Sequence, residues 1–544
     1  MPTPNADPIK HVVLLMLENH SFDQMMGCFK EVYPNMEGND PAHPRCNKDD
    51  DGNSFVQNVT RQRQMLLDPR HEHVDVARQL SDNNGGFVRD FVLSNPDSTP
   101  EERAFIMSYY PLDFLPALHG LGRAFALCDH WFAAVPGPTW PNRFFALSGT
   151  SSGRVEMPSE REKDPDVGGW FAQKQVTLFD RLTEQNIDWK IYFHDIPQSA
   201  VLCSQRQPIN AARYFYMSQF FADARGREDD FPQFCLIEPD YKGADENDDH
   251  PPHDVMKAQR LLADVYNALR ANPDLWNSTL FIMVYDEHGG FYDHMQPPAI
   301  APPDDRRDQW TFDQLGVRVP AILISPWVEA ALVQEQFEHT SILRYLIEKW
   351  KLGPLGRRAQ VASSIASVIT RKTPRTDTPL RIELTRDQLC PPDPELEERA
   401  NAMVTEHHKA LTHLITFMAG EALDSAPRIY SSASRMIEAV ESRLGAALHS
   451  LLPHHSGLHV PILEPDKIIG NEAFFLDDFG HYLKHLKLRA LKDIAERIDN
   501  QELPLPLRLH AVRTLALITN QRIEINDNPI LAANKWLARH GVRR

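Results

Sequence analysis

The chain has 544 residues, and 75 acidic side chains against 57 basic ones give it a formal net charge of −18. Hydrophobic residues make up 42% of the sequence, which excludes a disordered acidic polymer and allows a large buried core. The negative charge and the lack of any Lys/Arg-rich run exclude sequence-independent binding of DNA or RNA, which depends on neutralising phosphates.

The first predicted element is a strand at His11–Leu17 (HVVLLML). No signal peptide precedes it, and no stretch reaches the apolar length of a membrane helix. We therefore expect a cytoplasmic protein, or one exported by a route that reads no N-terminal signal. The six cysteines are scattered without a Cys-x-x-Cys pair, so buried thiols are favoured over disulfides.

Five runs with continuous rather than alternating hydrophobicity predict strands that are covered on both faces, and therefore a mostly parallel α/β sheet. They are His11–Leu17, Trp189–Phe193, Phe234–Ile237, Thr279–Tyr285 and Val319–Ile324. In such sheets, ligands bind just beyond the carboxyl ends of the strands. We expect the residues that follow the runs to converge on one edge: Glu18-Asn19, His194-Asp195, Glu238-Pro239-Asp240, Asp286-Glu287-His288 and Ser325-Pro326.

Two Pro/Asp-rich stretches, Asp40–Asn53 and Pro297–Asp308, are typical of surface loops or lids. Beyond about residue 360 the apolar residues recur at helical spacing. The first such set is Leu396, Ala400, Met403, Ala410, Leu411, Leu414, Ile415 and Met418. We predict one large domain over residues 1–360 and a helical C-terminal region over residues 375–544.

The segment LENHSFDQMMG, residues 17–27, places a carboxylate and an amide side by side at a strand end. Glu18 and Asn19 are hard oxygen ligands for a cation, but both can face one ion only if the chain turns there. Ser21-Phe22-Asp23 is predicted to begin a helix. The alternative interpretation is that Glu-Asn is simply a helix start.

The segment VPGPTWPNRFFALSGTS, residues 135–151, has Thr139 between two prolines and just before a predicted helix. One interpretation makes Thr139 a helix N-cap. In the other, its hydroxyl lies where helix N–H groups bind phosphate, and metal coordination activates it as a nucleophile. Asn142 and nearby N–H groups would then hold the phosphoryl oxygens.

The segment VYDEHGGFYDHMQPP, residues 284–298, ends a strong strand with Asp286 and Glu287. Two adjacent carboxylates repel each other unless a cation lies between them, so they indicate a metal. His288 is a candidate proton donor and phosphate contact. Two further histidine sites are His71 in DPRH and the pair His250 and His253 in DDHPPH. Most of the 24 histidines are expected to be structural, and the clustering of these beside carboxylates is what distinguishes them.

Together, LENHSF, DPRH with Gln79 eight residues further on, GPTWPNR, DDHPPHDV and YDEHGGFYDH strongly resemble the bacterial phosphoesterase family over residues 8 to 350. That family holds phosphatidylcholine-hydrolysing phospholipases C and a related metal-dependent acid phosphatase. The resemblance implies an alkaline-phosphatase-like, doubly wound, mostly parallel sheet, here with a helical C-terminal appendage.

The resemblance also implies roles for matching positions. One divalent metal ion, which is Ca²⁺, Mg²⁺, Mn²⁺ or Zn²⁺, would be held by Glu18, Asn19, Asp286 and Glu287. Thr139 would be the phosphorylated nucleophile and would also face the metal. The phosphoryl pocket would be lined by His71, His250 and His288, with Asn142 and His253 as further substrate-binding candidates. A second metal ion would need a further ligand, for which His71 and His253 are the candidates.

The sequence departs from the family at two points of the first motif, which usually reads ENRSFDH. His20 replaces the arginine and Gln24 replaces the histidine, and both lie outside the proposed ligands. The phospholipases also usually carry an export signal and β-rich domains after the catalytic one. Phosphoester chemistry is therefore better supported than lipid as the substrate.

The predicted function is a metal-dependent phosphoesterase of phospholipase C type, which displaces the alcohol in two steps through a phosphothreonine. A histidine, His288 or His250, would protonate the departing alcohol. The alternatives are an acid phosphatase that hydrolyses monoesters and a catalytically idle lipid- or partner-binding effector. The partner is a phosphoester, with phospholipid as one candidate, and the sequence does not specify an oligomeric state.

The helical tail has two interpretations, a packing appendage or a docking module for a membrane surface. A modest basic stripe favours contact with anionic lipid, at Lys484, Lys487, Arg489 and Lys492. His407, His408 and His413 lie on a predicted amphipathic helix, where we expect them to be solvated rather than to bind a metal.

Overall fold

The computed structural model describes residues 7–158, 169–242, 245–307 and 309–418, together with isolated positions between residues 495 and 537. The basic stripe of the tail lies outside the described residues, and the predicted division near residues 360–375 stays a prediction. In the described segments, no helix is both long and apolar enough to cross a bilayer.

The central sheet of the described part of the chain has eight strands in the order β13-β6-β12-β11-β1-β10-β8-β9. Every pairing in it is parallel except the two made by β12, which runs antiparallel to β11 and β6. The remaining strands form three short pairs, β14 with β7, β2 with β3, and β4 with β5. The strand bounds are β1 His11–Leu17, β2 Cys46–Lys48, β3 Ser54–Val56, β4 Asn58–Val59, β5 Ser108–Tyr109, β6 Ala126–Cys128, β7 Trp131–Phe132, β8 Trp189–Phe193, β9 Tyr214–Tyr216, β10 Phe234–Glu238, β11 Thr279–Tyr285, β12 Ala321–Ile324, β13 Ala331–Val333 and β14 Phe337–Glu338.

The predicted α/β fold with a mostly parallel sheet is confirmed. All five apolar runs are strands of the central sheet and are buried along their lengths. The last run begins at Ala321 rather than Val319, because Pro320 has no N–H to donate to a ladder. One short strand, β2, lies inside the stretch Asp40–Asn53 that was predicted as a loop.

The antiparallel direction of β12 changes one prediction about the edge of the sheet. The ends of the parallel strands β1, β8, β10 and β11 lie together, so the polar residues after them share an edge. Ser325, which follows β12, instead donates a hydrogen bond to the carbonyl of Thr279, at the start of β11. The prediction that Ser325-Pro326 joins the other groups was therefore wrong.

Helices cover the sheet in two packed groups. In one group α7 packs on α8 and α13, and in the other α11 packs on α6, α10, α12 and α15. The α-helices are α1 Phe22–Met26, α2 His73–Gln79, α3 Ser81–Asn84, α4 Phe87–Ser94, α5 Pro100–Phe105, α6 Pro116–Ala124, α7 Thr139–Ser148, α8 Leu178–Glu184, α9 Pro208–Ala211, α10 Met217–Ala224, α11 Val255–Arg270, α12 Pro273–Trp276, α13 His339–Trp350, α14 Arg358–Val361, α15 Arg386–Leu389, α16 Pro394–Asn401 and α17 Glu406–Met418. Short 3₁₀ helices span Gly27–Glu31, Trp170–Ala172, Gln198–Val201, Cys203–Arg206, Glu228–Asp230 and Ile365–Val368.

Helix α17 shares the hydrophobic core of the central sheet. Its apolar residues Ala410, Leu411 and Leu414 are buried in the same hydrophobic core as the central sheet. Helix α17 also packs against the 3₁₀ helix Gln198–Val201.

All six cysteines are free thiols. Three of them are buried, at Cys28, Cys128 and Cys235, whereas Cys46 and Cys390 are exposed. The prediction that all six would be buried was therefore wrong.

Candidate active site

The chain turns sharply at the end of β1. Such a turn is what Glu18 and Asn19 need in order to face the same ion. Asn19 has a φ of +64°, in the left-handed region that asparagine tolerates better than most residues. Its backbone N–H donates to Oδ1 of Asp286 at 3.2 Å. Gly289 closes over this turn with a φ of +62°, and a Cβ there would lie 2.1 Å from the carbonyl oxygen of Asn19. A glycine at position 289 is therefore needed for the two motifs to meet.

Thr139 is the first residue of α7 and is buried. The N-cap residue is Pro138, and no side chain caps this helix. The interpretation of Thr139 as an N-cap was therefore wrong. Its hydroxyl instead donates a long hydrogen bond, 3.4 Å, to Oδ1 of Asn19. The predicted nucleophile and a predicted ligand are thus in direct contact.

Asp286 and Glu287 are both fully buried at the end of β11. Oδ1 of Asp286 accepts hydrogen bonds from two backbone N–H groups, those of Asn19 and Glu287. Burial raises the pKa of Asp286 well above its usual value, although the charge of Arg143 opposes that rise. Oε2 of Glu287 accepts from the backbone of Gly289, whereas Oε1 has no hydrogen-bond partner among the residues described.

Arg143 holds two of the predicted ligands together and was missed by the sequence analysis. Its guanidinium lies 2.9 Å from Oε1 of Glu18 and donates from Nε to Oδ2 of Asp286 at 3.1 Å. The side chain of Gln198 also donates to Oε1 of Glu18. The available signal was an arginine four residues after Thr139, which places both side chains on one face of a helix.

The charge on Glu18 is stabilised from both sides. Burial alone would raise its pKa, but the charges of His407 and Arg143 lower it to about 2. Nδ1 of His407 lies 3.1 Å from Oε2 of Glu18. The expectation that His407 and His408 are solvated was wrong, because both are buried, while His413 is half-buried.

Three of the predicted histidines lie around this centre. Nε2 of His71 is 3.2 Å from the amide nitrogen of Asn19 and 3.8 Å from Oε1 of Glu287. Burial lowers the pKa of His71, but the carboxylates of Glu287 and Asp68 and the carbonyl of Pro69 together outweigh burial, and the pKa rises to about 9. The rings of His71 and His250 are 5.9 Å apart, and burial lowers the pKa of His250 well below its usual value.

His288 is fixed by two motifs at once. Its Nδ1 lies 3.3 Å from Oε2 of Glu287, and its Nε2 lies 2.7 Å from Oε1 of Gln79. Gln79 itself donates to the backbone carbonyl of Arg70, beside His71. The glutamine eight residues after DPRH thus connects that motif to the end of β11.

Asn142 and His253 are committed to other contacts. The amide of Asn142 donates to the carbonyl of Gly137 at 2.8 Å and accepts from the N–H of Val135 at 3.0 Å, so it shapes the loop before Thr139. His253 lies 2.5 Å from Glu246. The predicted roles of both in substrate binding stay predictions.

The two departures in the first motif contact each other. Nδ1 of His20 lies 2.7 Å from Oε1 of Gln24, and Nε2 of His20 lies 2.9 Å from the carbonyl oxygen of Asp249. The His20 ring also stacks on Phe291, with ring centroids 5.0 Å apart. The two changes therefore form one packed pair.

The chemistry of the donor set fits a divalent cation. Oε1 of Glu287 and Oε2 of Glu18 are buried without an aligned hydrogen bond from the described residues, and Oδ1 of Asn19 has only the long bond from Thr139. Such oxygens are the ligands that hard cations prefer. Donor atoms of Glu18, Asp248 and His407 also lie within 4.8 Å of one another. The predicted ligand set of Glu18, Asn19, Asp286, Glu287 and Thr139 stays a prediction.

Comparison with known proteins gives three results. The profile of the Phosphoesterase family matches residues 9–353. Non-specific phospholipase C3 of Arabidopsis thaliana is 34% identical over 415 residues, which are 70% of this chain and 76% of that protein. Hemolytic phospholipase C of Pseudomonas aeruginosa is 28% identical over 406 residues, covering 63% of this chain and 53% of that one.

Among solved structures, a protein in the alkaline phosphatase superfamily from Vibrio parahaemolyticus aligns with a TM-score of 0.28 and 11% identity. That alignment covers 46% of this chain and 63% of the other. The family match and these relatives, one from a plant and one from a bacterium, confirm the predicted resemblance to the phosphoesterase family.

Proposed function

The chain belongs to the Phosphoesterase family and is a hydrolase of phosphoester bonds, and from this premise we propose that it is a metal-dependent phospholipase C. It would cleave phosphodiesters such as phospholipid head groups and pass through a covalent intermediate on Thr139. Relatives named phospholipase C, at up to 34% identity, support this substrate class.

In the first step the hydroxyl of Thr139 loses its proton to solvent water, and its Oγ1 attacks phosphorus in line with the departing alcohol. A bond forms between Oγ and phosphorus, and the bond from phosphorus to the alcohol oxygen breaks. His288 or His250 gives a proton to that oxygen. Water then attacks the phosphothreonine and releases the phosphate or phosphocholine-type product, which restores the hydroxyl of Thr139.

The surrounding residues hold these groups in place. Asn19 fixes the hydroxyl of Thr139, and His71 faces the same amide from the other side. A cation held by Glu18, Asn19, Asp286 and Glu287 would polarise the phosphoryl oxygens and lower the pKa of the threonine hydroxyl. Arg143 would hold the carboxylates of Glu18 and Asp286 in place, and its charge favours the ionised form of each.

The contact between Thr139 and Asn19 carries this proposal. It joins the first residue of α7 to the end of β1, and the backbone of Asn19 joins both to Asp286 at the end of β11. Three motifs that are distant in sequence therefore supply a hydroxyl, an amide and a carboxylate to one buried point.

The test compares p-nitrophenyl phosphorylcholine, a diester, with p-nitrophenyl phosphate, a monoester. We expect faster turnover of the diester, and a loss on the order of 10³-fold or more in Thr139→Val. Thr139→Ser, which keeps the hydroxyl, should retain measurable turnover. Mass spectrometry after acid quench should find the phosphocholine group on Thr139.

Two results would contradict the proposal in different ways. Full activity of a folded Thr139→Val variant would exclude Thr139 as the nucleophile. Hydrolysis of the monoester alone would show that the protein is an acid phosphatase and not a phospholipase C.

A further inference from the structure

The side chain of His407 enters the site from helix α17, far along the chain from the matched motifs. It is 3% exposed, and its Nδ1 lies 3.1 Å from Oε2 of Glu18. Oε1 of the same carboxylate holds Arg143 and Gln198. Arg143 and Gln198 thus hold one oxygen of the Glu18 carboxylate, and His407 faces the other.

The ring of His407 is also packed against the predicted catalytic residues. It stacks on His250 with centroids 5.9 Å apart and an interplanar angle of 26°, and it meets the edge of Tyr241 at 5.2 Å. Its other nitrogen, Nε2, is buried and has no hydrogen-bond partner within the described segments. That nitrogen is therefore available to a ligand.

The next residue, His408, anchors the helix instead. Its Nε2 lies 3.2 Å from Glu246 and 3.0 Å from the carbonyl oxygen of Tyr241, and its Nδ1 accepts from the N–H of Thr405. His407 and His408 therefore have different partners although they are adjacent and both are buried. They form a natural pair for separating a role in the site from a role in stability.

We propose that His407 is a positioning residue, which orients the carboxylate of Glu18 toward the cation and makes α17 part of the phosphoesterase site. This inference rests on the proposed function for its effect on turnover. It extends the site beyond residue 353, where the family match ends.

The experiment compares His407→Leu with His408→Leu, and uses His407→Asn to keep an N–H near the position of Nδ1. Steady-state kinetics use whichever p-nitrophenyl ester the wild-type protein hydrolyses. We expect His407→Leu to lower kcat at least tenfold with KM within about twofold, and His407→Asn to recover most of that loss. His408→Leu should lower the urea midpoint and leave kcat per folded molecule unchanged.

A second readout does not depend on turnover. Titration of metal-free protein with Mn²⁺ should give about tenfold weaker binding in His407→Leu, because the carboxylate of Glu18 is no longer held. Binding in His408→Leu should match that of the wild-type protein. Mn²⁺ is chosen because it accepts oxygen ligands.

The outcomes separate this inference from the proposed function. Unchanged kcat and Mn²⁺ affinity in His407→Leu, or equal losses in both leucine variants, would overturn the role of His407. A wild-type protein that hydrolyses neither ester would overturn the proposed function, and the Mn²⁺ titration would then decide on His407. A wild-type protein without turnover or Mn²⁺ binding would overturn both.

Discussion

Two buried arginines hold the same pair of sequence segments together, and their surroundings differ in an instructive way. We call Arg143, Glu18, Asp286 and His407 the Arg143 cluster, and Arg318, Asp23, Asp293 and His294 the Arg318 cluster. In each cluster the arginine contacts one carboxylate after β1 and one after β11, at distances of 2.9 to 3.2 Å. In each, a histidine lies about 3 Å from the oxygen of the first carboxylate that the arginine does not contact.

The Arg318 cluster is closed. Oδ2 of Asp23 accepts hydrogen bonds from the side chain of Gln57 and the backbone of His294. The carboxylate of Asp293 accepts from the backbones of Asp23 and Met295. Arg318 also lies over the ring of Phe22, 4.3 Å from its centroid. Donor atoms of its two aspartates and His294 lie within 4.8 Å of one another, but hydrogen bonds from the protein already occupy the oxygens of both aspartates.

The Arg143 cluster is open. Oε2 of Glu18 and Oε1 of the neighbouring Glu287 lack aligned hydrogen bonds from the described part of the chain. Buried carboxylate oxygens are costly to leave in this state, and they are retained where a ligand satisfies them. Similar charge arrangements therefore serve as a structural clamp in one place and as a candidate catalytic centre in the other.

The largest effect should come from removing the arginines. Arg318→Met leaves two buried carboxylates without their cation and should lower the free energy of unfolding by about 3–5 kcal/mol. Activity per folded molecule should be unchanged. Arg143→Met should also lose stability, and in addition kcat should fall on the order of 10²-fold. Urea denaturation and steady-state kinetics measure the two effects; equal activity loss in both variants would erase the distinction between the clusters.

Metal removal should change activity and stability through the Arg143 cluster and not through the Arg318 cluster. Treatment with a chelator should lower activity at least 100-fold, and a divalent cation at 100 times its Kd should raise the free energy of unfolding by about 2.7 kcal/mol. Glu287→Gln should abolish that stabilisation, whereas the matched variant Asp293→Asn should retain it. Thermal unfolding with and without Mn²⁺ measures this stabilisation. If Asp293→Asn also loses the stabilisation by Mn²⁺, the cation binds in the Arg318 cluster instead.

The Arg318 cluster should contribute to the loss of folding stability at acid pH. Burial would raise the pKa of Asp23, but His294 and Arg318 lower it to about 2, against an ordinary value of 3.8. A carboxylate with a depressed pKa stabilises the fold above its unfolded pKa, so about 2 kcal/mol should be lost as the pH falls from about 4 to 2. Urea melts across this range measure the loss. Asp23→Asn, although less stable at neutral pH, should lack this part of the slope; an equally steep fall would assign it to other groups.

The smallest effect concerns the pair His20 and Gln24, which lies between the clusters in sequence. A double-mutant cycle with His20→Ala and Gln24→Ala should give a coupling of about 1 kcal/mol, because each removes the other's buried hydrogen-bond partner. Additive losses in the cycle would show that the two departures from the family motif are independent.

Much of the fold was predictable because its signals are local. The run HVVLLML predicts a buried strand, and β1 has the predicted bounds. Ser21 caps α1 as expected, since its side chain accepts from the N–H of Gln24. The direction of β12 was not predictable, because an apolar run of four or five residues reads alike in both directions.

The candidate site was predictable in part. Thr139, Asn19, Asp286, Glu287, His71, His250 and His288 were named from their motifs, and the structure brings them to one edge of the sheet. Arg143 and His407 were not assigned to it. Their positions carry no distinctive spacing relative to Glu18, and His407 lies on a helix whose amphipathic pattern equally allows a solvated face.

The amino-acid sequence by itself determined the strands, the turn after β1 and the residue types that line the carboxyl edge, because hydrophobic periodicity and local hydrogen bonding act between near neighbours. Only the tertiary structure decided which buried carboxylates have hydrogen bonds at both oxygens and which, among the described residues, keep an oxygen without one. That choice depends on contacts between side chains far apart along the chain, such as Glu18 with His407, and the strength of each contact is set by burial that only the packed molecule creates.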